Sequence, residues 1–307
     1  MKSNETYEPR IPRRSARHAV RGVDYQVNEW GDQDQPLLVI LHGFNDTGAS
    51  FQFFVDALVK DWFVIAPDWR GFGESRFRAQ SYWFPDYIAD LDVLLDHYSP
   101  RDPVRLVGHS MGANVAGLYA GIMPERVAAF VNIEGFGLPE SDPDNAPAHY
   151  RRWIEKSREM QPFSTYQDFA QLAQRIRKRN PRMDADKALF VATLWAAKED
   201  DGTVALRTDR SHRLPNPVQY RRAEATACWA KITAPVLVVK GAESNFFTAA
   251  TDQAGPNEID AFAAAESVEI PGAGHMVHFE QPVALAAAVE QFLSWHAAEN
   301  PRFSTED

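Results

Sequence analysis

A serine between two glycines is the first residue that could perform nucleophilic catalysis. The segment "GHSMG", from Gly108 to Gly112, directly follows the apolar run "VRLV" and precedes a helix-like run of small residues. A nucleophile at a sharp strand-to-helix turn needs small neighbours, because Cβ atoms would crowd the turn. The helix N-terminus behind Ser110 favours negative charge that develops in front of it. The segment predicts Ser110 as the nucleophile of an acyl-transfer reaction.

A general base must lie within reach of that serine, and His275 is our candidate. It follows a Gly-Ala-Gly turn in "IPGAGHMVHFEQP", after the last apolar run that predicts a strand. An imidazole in such a loop can accept the proton of the nucleophile. His278, three residues further on, is the rival. These two histidines could also bind a metal, but no third ligand stands near them in the sequence, so we expect no metal and no cofactor.

The loop "LHGFNDTG" contains a candidate oxyanion hole. The backbone N–H of Phe44 can point back toward Ser110 and pair with the N–H of Met111. His42 is interpreted as a residue that orients this loop. In the later loop "PDWRGFGES", Asp68 and Arg70 are expected to form an ion pair that braces the loop.

Strands and helices alternate along the chain and must position these residues. "RHAVRGVDYQVNEWG" predicts a hairpin, "PLLVILHG" a strand buried on both faces, and "EIDAFAAA" a late helix. We therefore predict an α/β fold with a mostly parallel central sheet flanked by helices. Residues 138–227 lack the alternation and predict a helical cap domain. Residues 1–137 and 228–307 form the predicted core domain, and the cap is expected over the carboxyl edge of the sheet.

Four motifs in this order, "HGF", "PDWRGFGES", "GHSMG" and "GAGHMVHFEQP", resemble those of the α/β-hydrolase superfamily. The resemblance extends from about Val20 to about Trp295. It implies the α/β-hydrolase fold and a catalytic triad, but not the substrate, because this fold hosts many reactions. Through "VNIEGFGLP" and "SHRLPNPVQYRRAEATACW" the chain also resembles the serine-hydrolase-like and carboxylesterase group.

The position of the catalytic acid departs from the common pattern of the superfamily. Members most often carry an Asp in the loop after the strand that matches "PVLVVKG", and Ser244 stands there instead. Glu243 is next door, but one step along a turn usually redirects a side chain. Glu134 follows the strand "VNI", which resembles the placement in a branch of the haloalkane dehalogenases, and a carboxylate there would be costly without a partner. We predict Glu134 as the acid, with Glu243 as the alternative.

The type of nucleophile decides which reaction the resemblance supports. Dehalogenases and epoxide hydrolases of this fold use an Asp nucleophile, whereas Ser110 suits attack on a carbonyl and an acyl-enzyme. We expect a carboxylesterase that acts on an ester with an apolar acyl or aryl group. C–C bond hydrolysis, thioester cleavage and perhydrolysis with the same triad are alternatives, and a non-catalytic binding protein is a third option.

Aromatic residues in and near the predicted cap supply the candidate substrate pocket. Its candidates are His109, Trp83, Phe84, Trp153 and Phe136. The basic segments "RRWIEKSR" and "QRIRKRNPR" are interpreted as solvated helix faces, with recognition of an anionic substrate group as the alternative.

Composition argues against several classes of protein. The chain has 307 residues, 45% of them hydrophobic, and a net charge of -10, which argues against nucleic-acid binding. No apolar run approaches the roughly 18 residues of a membrane span, and the N-terminus lacks the apolar core of a secretory signal. The single cysteine, Cys228, fits a reducing cytoplasm. We expect a cytoplasmic enzyme with a small-molecule ester as its partner, and a homodimer is one option for its assembly.

Overall fold

The computed structural model describes residues 6–159, 163–246, 262 and 265–299. Within these residues the strands are β1 (Arg14–Val20), β2 (Val23–Trp30), β3 (Leu37–Leu41), β4 (Phe63–Pro67), β5 (Val104–His109), β6 (Val127–Ile133), β7 (Ala196–Lys198), β8 (Val204–Leu206), β9 (Val236–Gly241) and β10 (Ala265–Ile270). Eight of them form one sheet in the order β1-β2-β4-β3-β5-β6-β9-β10. From β4 to β10 all neighbours are parallel, while β1 and β2 form the predicted antiparallel hairpin.

The helices of the described residues are α1 (Gln52–Ala57), α2 (Phe84–Tyr98), α3 (Met111–Ile122), α4 (Ala146–Arg158), α5 (Phe169–Arg179), α6 (Ala185–Trp195), α7 (Arg222–Trp229), α8 (Val277–Glu280) and α9 (Pro282–Glu299). None of these helices has the length and apolar character that a membrane crossing requires. The helix predicted from "EIDAFAAA" lies almost entirely outside the described residues.

The central strands are buried because helices cover both faces of the sheet. Every residue of β4 and of β6 is buried. One core cluster joins a sheet face to α2 and α3 through residues such as Leu91 and Tyr119, and a second joins the other face to α1 and α9 through Phe54 and Val289. Continuous apolar runs are typical of parallel strands covered on both sides. The predicted α/β fold with a mostly parallel sheet is confirmed.

The register of the parallel strands aligns the loops that could carry chemistry. His109 at the end of β5 pairs with Ile133 at the end of β6, and Ile133 pairs with Val239 in β9. The residues that follow β5 and β6 therefore leave the sheet at the same level, at its carboxyl edge.

The segment 138–227, here called the cap segment, is largely helical, but it also contains the antiparallel pair β7–β8. Gly202 has a φ of 85° in the turn between these strands, which explains why "DDGT" forms a hairpin. A third apolar cluster joins α5 and α6 to Phe53 and Phe279 outside the cap segment. The basic side chains of α4 and α5 are exposed to solvent.

Two expectations from the sequence need correction. The boundary at residue 227 falls inside α7, whose Trp229 packs in the same core cluster as α3. The prediction of an ion pair between Asp68 and Arg70 is wrong, because Arg70 pairs with the fully buried Asp90 of α2. Asp68 instead accepts hydrogen bonds from backbone N–H groups of its own loop and of the loop after β3. No local pattern linked Asp90 to Arg70.

A buried histidine determines part of the pH dependence of stability. The ring of His212 stacks between Phe72 at 3.8 Å and Tyr82 at 3.6 Å, and burial lowers its pKa from 6.5 to about 3. The unfolded chain takes up a proton near pH 6.5 and the folded chain does not. Stability is therefore highest above that pH and falls as the pH drops from about 6.5 toward 3.

We expect His212→Gln to weaken the pH dependence of the free energy of unfolding. Between pH 7.5 and 5.5, urea unfolding should show that the wild type loses about 1 kcal/mol more than the variant. The matched control is His149→Gln, because His149 is a partly buried histidine of the cap segment that also contacts a backbone carbonyl. Equal slopes for wild type and His212→Gln would contradict the assignment.

Candidate active site

Ser110 occupies the turn between β5 and α3 in a strained backbone conformation. Its φ is 51° and its ψ is -115°. Its N–H donates to the carbonyl of Ile133, with 2.8 Å between nitrogen and oxygen. A Cβ on Gly112 would lie 2.2 Å from the carbonyl oxygen of Leu41, and one on Gly108 would meet the backbone of α3 at 2.5 Å. Glycine is required at both positions, which is the reason for the "GHSMG" pattern.

His275 connects the serine to a carboxylate. Its Nε2 lies 3.1 Å from Ser110 Oγ, and its Nδ1 lies 3.1 Å from Glu134 Oε2. The loop that carries the ring is held by a hydrogen bond of 2.7 Å from the Gly274 N–H to the buried Glu280 carboxylate. The three groups therefore stand in the order hydroxyl, imidazole, carboxylate.

Glu134 is fully buried directly after β6, with a φ of 55°. Its Oε1 accepts a hydrogen bond of 2.7 Å from the Gly241 N–H, and its Oε2 accepts one of 2.5 Å from Ser244 Oγ. Together with His275 Nδ1, three groups can donate to the carboxylate. A buried charge needs such donors to offset the loss of water.

Glu243, the alternative acid, points elsewhere. Its carboxylate pairs with Arg182 of the cap segment, which also lies 3.5 Å from Glu280. Among the carboxylates that the structure describes, Glu134 is the one within hydrogen-bond distance of His275. One step along the turn redirects the side chain, so Ser244 faces Glu134 while Glu243 faces the cap segment.

The loop after β3 comes close to the hydroxyl of Ser110. A Cβ on Gly43 would lie 3.1 Å from the Cβ of Ser110, so this glycine permits the close approach. Phe44 follows in the same loop, and Met111 begins α3 directly after Ser110. His42 orients the loop, since its Nε2 accepts from the Trp69 N–H at 2.8 Å.

Two predicted pocket residues are buried rather than open to a substrate. His109 is 1% exposed, and its Nε2 donates to the carbonyl of His275 at 2.8 Å. Burial holds the pKa of His109 well below its usual value, so its ring is neutral. Phe136 is 3% exposed and belongs to the main core cluster. Both expectations need correction, because packing leaves almost no surface of either side chain exposed to a substrate.

The other pocket candidates retain exposed surface, and one aromatic residue was missed. Trp83 is 38% exposed, Phe84 is half-buried, and Trp153 lies on α4 with a buried indole nitrogen. Phe246, which is 45% exposed, has its ring 4.3 Å from that of His275. It stands two residues beyond Ser244, and no pattern in "ESNFF" marked it.

A cavity of about 960 Å³ lies away from these groups. It is lined by the loop after β4 and by the cap segment, with Arg76, Phe163 and Arg207 among its residues, and neither Ser110 nor His275 lines it. Its arginines face several acidic residues, so the cavity has no single charge.

Ser244→Ala removes one of the three donors to Glu134. We expect the variant to fold and to lose about tenfold in kcat/KM for an ester substrate, because a hydrogen bond to a buried carboxylate is lost. The matched control is Glu243→Gln, which breaks a partly exposed ion pair in the same loop and should change kcat/KM by less than about threefold. Equal rates for Ser244→Ala and wild type would show that this hydrogen bond does not support catalysis.

Comparison with known proteins identifies the fold family of the chain. Residues 36–282 match the family model of the α/β-hydrolase fold. A serine hydrolase-like protein of Danio rerio is 24% identical over 274 residues, which cover 86% of this chain and 83% of the relative. The 3-hydroxybutyrate-oligomer hydrolase of Cupriavidus necator is 29% identical over 281 residues, which cover 86% of this chain and 91% of the relative.

Solved structures agree on the architecture. The thioesterase domain from the curacin biosynthetic pathway superposes with a TM-score of 0.81 at 21% identity, over 91% of this chain and 99% of that domain. At this identity the likeness concerns the fold alone. Because the family match spans most of the sequence and the parallel sheet carries a serine at its strand-to-helix turn, the chain belongs to the α/β-hydrolase fold family.

Proposed function

We propose that the protein is a serine hydrolase that cleaves carboxylic esters with an apolar acyl or aryl group through an acyl-enzyme. The observation that carries this proposal is the continuous hydrogen-bonded chain from Ser110 Oγ through His275 to Glu134. In this proposal Ser110 is the nucleophile, His275 the general base and Glu134 the acid.

The geometry supports a two-step reaction. His275 Nε2 takes the proton as Ser110 Oγ attacks the ester carbonyl, and Glu134 stabilises the imidazolium through Nδ1–H. The backbone N–H groups of Phe44 and Met111 would hold the oxyanion of the tetrahedral intermediate. His275 then donates its proton to the leaving alcohol, which breaks the C–O bond and leaves the acyl group on Ser110. Water, activated by the same imidazole, attacks the acyl-enzyme and releases the carboxylic acid.

Exposed aromatic surface beside these groups supports an apolar substrate. Phe44 is 49% exposed and follows the glycine that approaches Ser110, and the Phe246 ring lies against that of His275. Apolar surface next to a nucleophile favours burial of an acyl or aryl group. The sequence candidates that keep exposed or half-buried surface, Trp83, Phe84 and Trp153, would extend this contact.

The relatives support hydrolysis more strongly than they support one substrate. One is named a serine hydrolase-like protein, and another is named a hydrolase of 3-hydroxybutyrate oligomers. Ester cleavage by a serine nucleophile is consistent with both names. The single cysteine, the partly buried Cys228, fits a reducing compartment such as the cytoplasm.

Hydrolysis of p-nitrophenyl butyrate by the purified protein tests this proposal. We expect the wild type to be active and Ser110→Ala to fall to the background rate. Glu134→Gln should fold and lose roughly 10²-fold or more in kcat, because a neutral amide cannot stabilise the imidazolium.

A fluorophosphonate probe and a substrate panel separate the outcomes. If the probe labels Ser110 but simple esters are not cleaved, the ester proposal fails, and thioesters and C–C bonds of diketones are the next substrates. If neither labelling nor turnover occurs, the serine hydrolase proposal fails, and the alternative of a non-catalytic binding protein is favoured. If Glu134→Gln keeps full activity, the assignment of the acid is wrong.

A further inference from the structure

The proposed acid, Glu134, lies in a backbone turn that a neighbouring side chain closes. Asn132, two residues earlier in β6, is 2% exposed, and its amide binds Gly135 on the far side of the acid. Asn132 Oδ1 accepts a hydrogen bond of 2.8 Å from the Gly135 N–H, and Nδ2 donates one of 2.9 Å to the Gly135 carbonyl. A single amide therefore holds both backbone polar groups of the residue that follows Glu134.

An asparagine is unexpected at this position in the sheet. β6 is buried along its whole length, and its other six residues, in "VAAFVNI", are apolar. A polar side chain in such a strand costs free energy unless its hydrogen-bonding groups find partners. Asn132 finds an acceptor for its N–H₂ and a donor for its oxygen in the turn that carries Glu134. This turn therefore accounts for the asparagine.

The backbone conformation of Glu134 requires such a constraint. Its φ of 55° lies in the left-handed region, which a residue other than glycine occupies when surrounding contacts enforce it. The Glu134 N–H donates to the Val239 carbonyl at 3.0 Å, which fixes the peptide before the acid. Asn132 fixes the peptide after it. Because both flanking peptides are held, the backbone sets the direction of the Glu134 side chain toward His275 Nδ1.

The same turn packs against the first turn of α3. A Cβ on Gly135 would lie 2.3 Å from the Cβ of Ala113 and 2.6 Å from Asn132 Oδ1, so a side chain there would displace the helix or the amide. Further along, the Gly137 N–H donates to Asn114 Oδ1 at 2.8 Å. The turn that carries the proposed acid is therefore fixed to the helix that follows the proposed nucleophile.

We propose that Asn132 is a positioning residue, which directs Glu134 toward His275 by closing the turn between Glu134 and Gly135. The inference rests on the proposed function, because it requires Glu134 to be the acid. It also explains the segment "NIEG": the asparagine closes the turn, the glutamate supplies the carboxylate, and the glycine stands where a Cβ does not fit.

A double-mutant cycle on kcat for p-nitrophenyl butyrate tests whether Asn132 acts through Glu134. We expect Asn132→Ala to lose at least about tenfold in kcat, with KM changed by less than about twofold, because the acid is misdirected while substrate binding is unchanged. In the Glu134→Gln background the same substitution should cost less than about threefold, because the carboxylate that it positions is already absent. A loss of equal size in both backgrounds, in variants folded by circular dichroism, would overturn the proposal.

The matched control is Gln26→Ala, which removes another buried amide from the same sheet. Gln26 is 2% exposed, and its Nε2 donates to Ser15 Oγ and to the Val27 carbonyl. It lies in β2, and three strands separate β2 from β6. We expect the control to lower the free energy of unfolding but to change kcat by less than about threefold. If Gln26→Ala reproduces the pattern of Asn132→Ala, the loss reflects general destabilisation and the proposal fails.

A proton NMR signal tests the inference without ester turnover. The Nδ1–H of His275 should give a downfield resonance when it donates to the carboxylate of Glu134, and its absence from His275→Ala assigns it. We expect Glu134→Gln and Asn132→Ala to shift this resonance upfield or remove it, whereas Gln26→Ala keeps it.

The two readouts separate failure of this inference from failure of the proposed function. If Asn132→Ala keeps the wild-type resonance, Asn132 does not position Glu134, even in an active esterase. If the wild type cleaves no ester but Asn132→Ala removes the resonance, the ester proposal fails and the positioning of Glu134 by Asn132 is supported.

Discussion

The burial of one carboxylate constrains the whole carboxyl edge of the sheet. Glu134 is fully buried, and a charge in that position is stable only if hydrogen-bond donors replace water. The donors come from β9, from the loop that follows it and from the loop after β10. Two separate stretches of chain must therefore converge on one side chain, and one of them carries the imidazole that faces Ser110.

Hydrogen bonds of the sheet hold two strained residues in place. Ser110 and Glu134 both have positive φ, which costs about 1–3 kcal/mol for each non-glycine residue. The Ser110 N–H donates to the carbonyl of Ile133, and the Glu134 N–H donates to that of Val239, so sheet bonding extends directly up to both residues. The cap segment also contacts the core through a hydrogen bond from Trp195 to Asp46 in the loop after β3 and through an ion pair between Arg182 and Glu280.

The sequence was informative where one local constraint selected a residue type. Crowding at the Ser110 turn requires glycines, and continuous apolar runs mark strands covered on both faces. It was poor where contacts join distant segments. The role of Ser244 as a donor to Glu134, the pairing of Arg70 with Asp90, and the ring of Phe246 against His275 leave no mark in local spacing. His109 was a pocket candidate, with packing as its default interpretation, and the structure buries its side chain.

The proposal that Glu134 is the acid can be tested by moving the carboxylate back to the loop after β9. Ser244 Oγ touches the same Glu134 oxygen that His275 Nδ1 faces, so an Asp at position 244 could bring its carboxylate to that nitrogen. The measurement is kcat for p-nitrophenyl butyrate in Glu134→Gln and in the double variant Glu134→Gln/Ser244→Asp. We predict that the double variant recovers at least about tenfold over the single variant. A double variant that folds and remains as slow as Glu134→Gln, or a single variant as fast as wild type, would contradict this account.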